Sequence, residues 1–526
     1  MPDTPETIDL GAITSDEGFF LLHDHPEEPF PPAPMTNTGW RFCSTFRGST
    51  PSLRDAVLEL IQNAKRKVFI TSFILGDDDL IDALATAARR LTGGVYVISG
   101  LSERSLRKGL AELADRGDRG QTITQKVEAE KKRFMSLTNQ GIAVRGHENC
   151  HAKFVVIDDA VAWVGSANLE TRAFTRVGEV GVVLDDPPSV SRLARLFARM
   201  WLADCKYELP AFIDSYRVAE RTDPPSVPFA VPNPVLDKTA SVLWTDDVDE
   251  SDTPADVPAR RASLRMSIHD VINNARQQLL LASFNLNRMS DRPDLLLEPV
   301  AEAIGRGVRV KLLVRALNDR DRHRRQAGLF HDLGVHVLAD DTNHAKAAVA
   351  DDAHGLLFSA NFDADFGLDP GAGIEVGARL DATPALAELA RYLRHAMTCA
   401  SRTYVPRPTA QQLNDGLTAA SPPPWPLDES LTIQCDQETW NAFCAATQKG
   451  PVIWTRRATE PIELLAGNLR LRLRPNGPSL HPEVRAQPGR SAAQALALIA
   501  RGSPSEQDAQ EHGICTALIR HTQPTG

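Results

Sequence analysis

Two short stretches carry the same three ionisable residues at the same spacing: His151, Lys153 and Asp158 in "HAKFVVIDD", and His344, Lys346 and Asp351 in "HAKAAVADD". Both stretches are otherwise apolar enough to be buried strands, where an ionisable group costs free energy unless it is paired or used. Side chains alternate along a strand, so each histidine and the lysine two residues on project to one side and the aspartate takes the opposite parity. Two histidines flanking one phosphate suit phosphodiester cleavage. One attacks phosphorus to form a phosphohistidine, and the other protonates the leaving oxygen and then activates the incoming water or alcohol. Histidine can hold either protonation state near neutral pH. The lysines, with the amides and hydroxyls of the motif, would stabilise the non-bridging oxygens, so this chemistry calls for no metal and no cofactor. An orienting carboxylate is expected behind each imidazole. Glu179, 28 residues after His151, and Glu375, 31 after His344, are the candidates, each an acid within an apolar run ("VGEVGVVL", "GIEVGARL"). The plainer reading of either is a solvent-facing glutamate on an edge strand, and its recurrence weighs against that.

The motifs sit in a duplicated chain. "SLRDAVLELIQNAKRKVFITSFIL" (52–75) aligns without a gap to "SLRMSIHDVINNARQQLLLASFNL" (263–286), with 9 of 24 positions identical. In each, apolar residues recur at helical spacing and then run together as a strand. A helical stretch and a second strand follow ("GGVYVISG", "RGVRVKLLV"), which predicts a mostly parallel sheet with helices on its faces. "GIAV" at 141 and "GVHV" at 334 are 193 residues apart, as are the two histidines, and "GSAN" or "FSAN" begins seven residues past each aspartate. Two copies packed about a pseudo-twofold axis would bring the two histidines and two lysines face to face. The first copy alone holds about twenty extra residues including "TQKVEAEKKRFMSL"; a solvated charged face is the leading expectation and a lid the alternative.

The remaining features bound the class. A chain of 526 residues exceeds one ordinary core. A net charge of −10 argues against a general electrostatic trap for nucleic acid or anionic lipid. Seven scattered cysteines without a C-x-x-C signal neither a disulfide framework nor a thiolate zinc site. No apolar run reaches membrane-spanning length, and the acidic N-terminus lacks a signal-peptide pattern. A cytoplasmic protein, peripheral at a membrane if its substrate is lipid, is expected. The boundaries read as an acidic, Pro-rich segment at 1–38, a first repeat at 39–218, a linker or surface excursion at 219–260, a second repeat at 261–404 and a C-terminal domain at 405–526.

H-x-K-x-x-x-x-D followed by G-S-x-N resembles the signature of the phospholipase D superfamily, over about residues 40–400. The first block, "HAKFVVIDDAVAWVGSANLETRAFTRVGEV", is similar to that of bacterial cardiolipin synthases and related phosphatidyltransferases. The resemblance implies an α/β protein of two α/β/α sandwich repeats with a pseudo-twofold interface, to which a small C-terminal α+β domain is added here. It also implies metal-independent phosphohistidine chemistry at one shared site. His151 and His344 would be the catalytic pair, with His151 the nucleophile as in many members. Lys153, Lys346, Ser166, Asn168, Ser359 and Asn361 would bind phosphate, Asp158 and Asp351 would support the motif, and Glu179 and Glu375 would hold the histidines. The second copy departs from the pattern at Phe358, where glycine is expected, and "FDADFGLDPGAGIEV" lacks the spacing of cardiolipin synthases.

A phospholipid-directed phosphodiesterase or phosphatidyltransferase is the leading expectation. A nuclease of the same chemistry is the alternative, with "RDRHRR" (320–325) and "EKKR" (130–133) as backbone-tracking clusters. A scaffold that keeps the fold without the reaction is a third, opposed by the intact motifs in both copies.

Overall fold

The computed structural model describes residues 17–31, 40–47, 52–102, 122–212, 214–221, 241–246, 257–318, 320–364, 373–381 and 383–417, short pieces between them, and short strands at 6–9 and beyond residue 417. Contacts divide the chain into two compact units: Pro26–Arg315 with Thr342–Cys399, and Met1–His25 with Ala316–Asp341 and Ala400–Gly526. Both motifs belong to the first.

In that unit the opening element of each copy is a helix that feeds a buried strand. Ser52–Asn63 leads to Val68–Thr71, and Ser263–Asn274 leads to Gln278–Ala282. The helices turn Val57, Ile61, Leu264, Ile268 and Ile272 inward, all at most 1% exposed, as the spacing requires. Val68–Thr71 then lies parallel to Val95–Ser99, and that strand parallel to Ala143–Gly146. On its other side come Phe154–Ile157, Val161–Gly165, Glu179–Leu184 and Arg41–Thr45, all antiparallel. The second copy repeats the order: Arg309–Arg315 parallel to Gln278–Ala282, then antiparallel Ala347–Ala350, His354–Phe358, Val376–Arg379 and Val242–Trp244. The architecture is mixed α/β.

The expectation of a mostly parallel sheet is therefore corrected. The strand after each His and Lys runs straight into a tight turn, Asp158–Asp159 or Asp351–Asp352, whose residues all have φ between 52 and 59°. Two successive left-handed residues make a type I′-like hairpin turn, and a hairpin can only place its strands antiparallel. The linker is corrected too: Val242–Trp244, inside 219–260, is a buried strand on Val376–Arg379. The motif strands begin at Phe154 and Ala347, so His151, Lys153, His344 and Lys346 occupy irregular lead-ins, not strand positions.

The first copy's insertion forms the helix Ile123–Asn139, opened by a capping box of Thr122 and Gln125. Val127, Phe134 and Leu137 are fully buried, so this helix packs one face into the core.

The smaller unit holds Phe19–Leu22, His336–Asp340 and Arg402–Val405, with Arg402–Val405 antiparallel to both others. Phe19–Leu22 falls within the segment read as an acidic, Pro-rich N-terminus, yet Phe19, Phe20 and Leu21 are buried. The helix Asp321–Asp332 carries most of the "RDRHRR" cluster, and Arg324 in it is only 1% exposed, bound to Gly18 O at 3.2 Å and to Glu17 at 2.5 Å. A five-stranded sheet, in which Ile462–Ala466 is central and antiparallel to Val452–Thr455 and Leu469–Leu473, lies in the C-terminal region. The helix-like stretch "SAAQALALIARG" (491–502) lies outside the described residues.

Candidate active site

Each motif enters its strand alongside the other copy. His151 N donates to Ile374 O at 3.0 Å, and Ile374 N to Asn149 O at 3.0 Å. The second copy does the same: His344 N donates to Gly178 O at 2.9 Å, and Gly178 N to Thr342 O at 2.8 Å. Ile374 and Gly178 each precede a glutamate, so this backbone exchange delivers each carboxylate to the opposite histidine. His151 Nδ1 lies 2.7 Å from Glu375 Oε1, and His344 Nδ1 lies 2.5 Å from Glu179 Oε1. The sequence reading attached each glutamate to the histidine of its own copy, and the structure pairs them crosswise. Neither copy holds a complete histidine–carboxylate pair by itself. Nδ1 of each ring is thus tied to a carboxylate, and Nε2 of His344 lies 3.5 Å from Lys346 Nζ.

The second carboxylate oxygen of each glutamate accepts from a serine: Ser166 Oγ on Glu179 Oε2, and Ser359 Oγ on Glu375 Oε2. The same hydroxyls accept from Val180 N and Val376 N, both at 3.0 Å. Ser166 and Ser359 were expected on phosphate; here both are fully buried and hold the glutamates. Phe358 in place of glycine leaves this arrangement unchanged. The lysines are fully buried beside their histidines, with Lys153 Nζ 2.5 Å from His151 O and Lys346 Nζ 2.7 Å from His344 O. Asn168 and Asn361 are 3% and 5% exposed, and their Oδ1 atoms are buried without a hydrogen-bond partner among the described residues.

Asp158 and Asp351 do not join this cluster. Asp158 lies at the far end of its strand from His151, and its carboxylate accepts from the amides of Lys65, Arg66 and Lys67 at 2.7, 2.7 and 2.8 Å. Asp351 accepts from Arg276, Gln277 and Gln278 at 2.6, 2.9 and 2.7 Å. Each stitches the hairpin turn to the link between opening helix and strand. For Asp351, burial acts to raise the carboxyl, and the three amide donors outweigh it and hold it low. Replacing Asp158 with alanine is expected to cost about 2–4 kcal/mol of stability, by loss of hydrogen bonds to a charged acceptor. Chemical denaturation should show that loss, while turnover per folded molecule stays near wild type. A variant of full stability that does not turn over would place Asp158 in the chemistry instead.

The two histidine–glutamate pairs differ electrically. Burial pushes Glu179 up to about 7, against the pull of Lys346, the Ser166 hydroxyl and Lys153. Burial also holds the His344 imidazole well below its usual value, and Lys346, Arg315, Lys153 and His151 act in the same direction. The His344–Glu179 pair therefore avoids becoming a buried ion pair. Burial acts to raise Glu375, but the charge and hydrogen bond of His151, with Lys153 and Ser359, hold it below the ordinary glutamate value. The carboxylate is therefore the favoured form of Glu375 beside His151.

Several participants were not singled out from sequence. Phe73 and Phe284, the matched phenylalanines of "TSF" and "ASF", meet His151 and His344 edge-on at centroid distances of 6.0 and 4.8 Å. Thr245 Oγ1 accepts from Glu375 N at 2.9 Å, fixing the start of that strand. Arg315, 3% exposed, stands over the Phe284 ring at 5.4 Å. The duplicated "SF" was visible as an aligned pair; Arg315 is not repeated as an arginine in the first copy and left no such signal.

Comparison with known proteins gives one family model, the PLD-like domain of cardiolipin synthase, matching residues 57–201. Phospholipase D Z of Dictyostelium discoideum is 28% identical over 170 residues, 31% of this chain and 39% of that protein. Cardiolipin synthase 2 of Bacillus cereus is 26% identical over 149 residues, 28% of this chain and 25% of that protein. The 5'-3' exonuclease PLD3 of Bos taurus is 26% identical over 336 residues, 59% of this chain and 63% of that protein. The matched segments thus span less than two thirds of each relative's length.

Proposed function

This chain is a member of the phospholipase D superfamily, and from that premise we propose that it cleaves or transfers a phosphodiester, without a metal, through a phosphohistidine at one site shared by its two copies. The observation that carries this reading is the crosswise pairing of His151 with Glu375 and His344 with Glu179. It gives two imidazoles oriented through Nδ1, beside two buried ammonium groups. One Nε2 attacks phosphorus as the bond to the leaving oxygen breaks, and the other ring gives that oxygen its proton. The second ring then takes a proton from water or an alcohol, whose oxygen displaces the first Nε2 and restores it. Lys153 and Lys346 offset the charge on the non-bridging oxygens. Asn168 and Asn361 are the remaining polar groups a bound phosphodiester would engage, through the N–H donors of their side-chain amides. Ser166 and Ser359 act through the glutamates. The intact site opposes the scaffold reading.

Phospholipid is the leading substrate class, supported by the family model and by the cardiolipin synthase and phospholipase D relatives. No described helix is long and apolar enough to cross a membrane, so lipid would be met at a membrane surface. The nuclease reading stands second because the exonuclease relative aligns over the longest of the three segments compared. One of its expected arginine contacts, Arg324, is buried and bound to Glu17. The test is an assay of wild type and His151→Ala in EDTA, on anionic phospholipid vesicles and separately on single- and double-stranded DNA and RNA. EDTA-resistant release or exchange of a head group, lost in the variant, is the expected result. Variant-sensitive cleavage of nucleic acid alone would replace lipid with nucleic acid, and abolition by EDTA would refute the metal-free mechanism.

A further inference from the structure

The two copies match closely at the site, and one of their differences places a charge beside a motif histidine. Thr71 pairs with Ile98 in the first sheet, and its counterpart Ala282 pairs with Leu313 in the second. Two residues on, Gly100 N donates to Phe73 O at 3.4 Å, and Arg315 N to Phe284 O at 3.1 Å. Gly100 and Arg315 are therefore structural equivalents. A Cβ on Gly100 would lie 3.2 Å from the Phe73 ring, so the first copy is closely filled where the second carries a guanidinium. That guanidinium and Lys346 Nζ both approach the Phe284 ring, at 5.4 and 6.0 Å, and the ring in turn meets His344. His344 is also the deeper of the two, with 6% of its side chain exposed against 14% for His151.

We propose that Arg315 divides the labour between the histidines: set against Phe284, it keeps the His344 imidazole neutral, so that His344 is the nucleophile and His151 the acid and base. This rests on the phosphodiesterase reading and deepens it. Charged groups acting on His344 among the described residues include Glu179, Lys346, Arg315, Lys153 and His151. Four of these are cationic or can become so, and imidazolium at His344 would add another positive charge to a water-poor site. His151 has Glu375 behind it at 2.7 Å, and Gly100 stands where the second copy has Arg315, which assigns His151 the proton given to the leaving group. In the first step the His344 Nε2 lone pair forms the P–N bond, the P–O bond breaks, and the His151 Nε2 proton moves to the departing oxygen. In the second, water gives a proton to His151 while its oxygen displaces His344.

The assignment is tested with the full chain and bis(4-nitrophenyl) phosphate, whose leaving group departs without a proton. Wild type should turn over, and a wild type that releases no nitrophenolate would overturn the phosphodiesterase reading itself. His151→Ala should release one equivalent of nitrophenolate per chain and stall with the arylphosphoryl group on His344. His344→Ala should release none. A burst in His344→Ala, with the label on His151, would overturn the assignment. Arg315→Gln should move the acid limb of kcat/KM upward, because His344 then protonates more readily, with about a tenfold loss at pH 6 and less than about threefold at pH 8.5. Arg315→Lys should restore the profile. An unchanged profile in Arg315→Gln would remove Arg315 from the mechanism.

Discussion

His151→Ala and His344→Ala are each expected to lower turnover by about 10⁴–10⁶-fold, the scale on which groups that act as a unit fail when one is removed. Neither loss can be made good by the other copy if, as proposed, each imidazole does a different half of one reaction. The folded state should survive. Each substitution leaves a buried glutamate that still receives a serine hydroxyl, Ser359 on Glu375 or Ser166 on Glu179, and that can take up a proton. A drop in melting temperature of no more than a few degrees is expected, as for a loss of about 1 kcal/mol. Turnover within tenfold of wild type in either variant would sink the single-site account, and thermal melts on the same samples separate loss of chemistry from loss of fold.

The second large effect concerns the glutamates and follows from the crossing. Glu375→Gln should impair the function of His151, and Glu179→Gln that of His344, each by about 10³–10⁴-fold, because an amide can hold the wrong tautomer of the imidazole behind it. The two should differ in pH dependence. Glu179 is pushed up to about 7 by burial, and only its carboxylate keeps the proton on Nδ1 of His344 and the lone pair on Nε2. Activity should therefore fall as pH drops through about 7 in wild type, with the inflection belonging to the His344–Glu179 pair as a whole. Glu375 is held low and stays ionised there, so Glu375→Gln should lower the whole profile without removing that inflection. If Glu179→Gln keeps the inflection unchanged, the limb arises elsewhere.

What the amino-acid sequence showed was local and repeated. Helix-then-strand units, the H-x-K frame and an acid within an apolar run are patterns a few residues long, and duplication made each visible twice. What it hid was set by contacts between distant segments. Glu375 reaches His151 because Ile374 bridges to Cys150, a pairing 224 residues apart that no spacing within a copy announces. Asp158 and Asp351 share the motif's frame with the histidines, yet the strand between them carries each to the opposite end, where it ties backbone amides. Ser166 and Ser359 looked like phosphate ligands until the burial of the glutamates gave their hydroxyls another acceptor. Val242–Trp244 is three residues long in a stretch rich in Pro, Asp and Thr, too short for a period-two pattern, and only its partner Val376–Arg379 identifies it as a strand.

The central claim, one phosphohistidine site built from both copies, is tested most directly by counting covalent phosphoryl groups per chain. Wild type is mixed with bis(4-nitrophenyl) phosphate, quenched in alkali within the first turnover, and its intact mass and histidine peptides are measured. The account predicts no more than one arylphosphoryl group per chain, on a single motif histidine. Two groups per chain, one on each histidine, would contradict it, as would turnover that proceeds with no phosphohistidine formed.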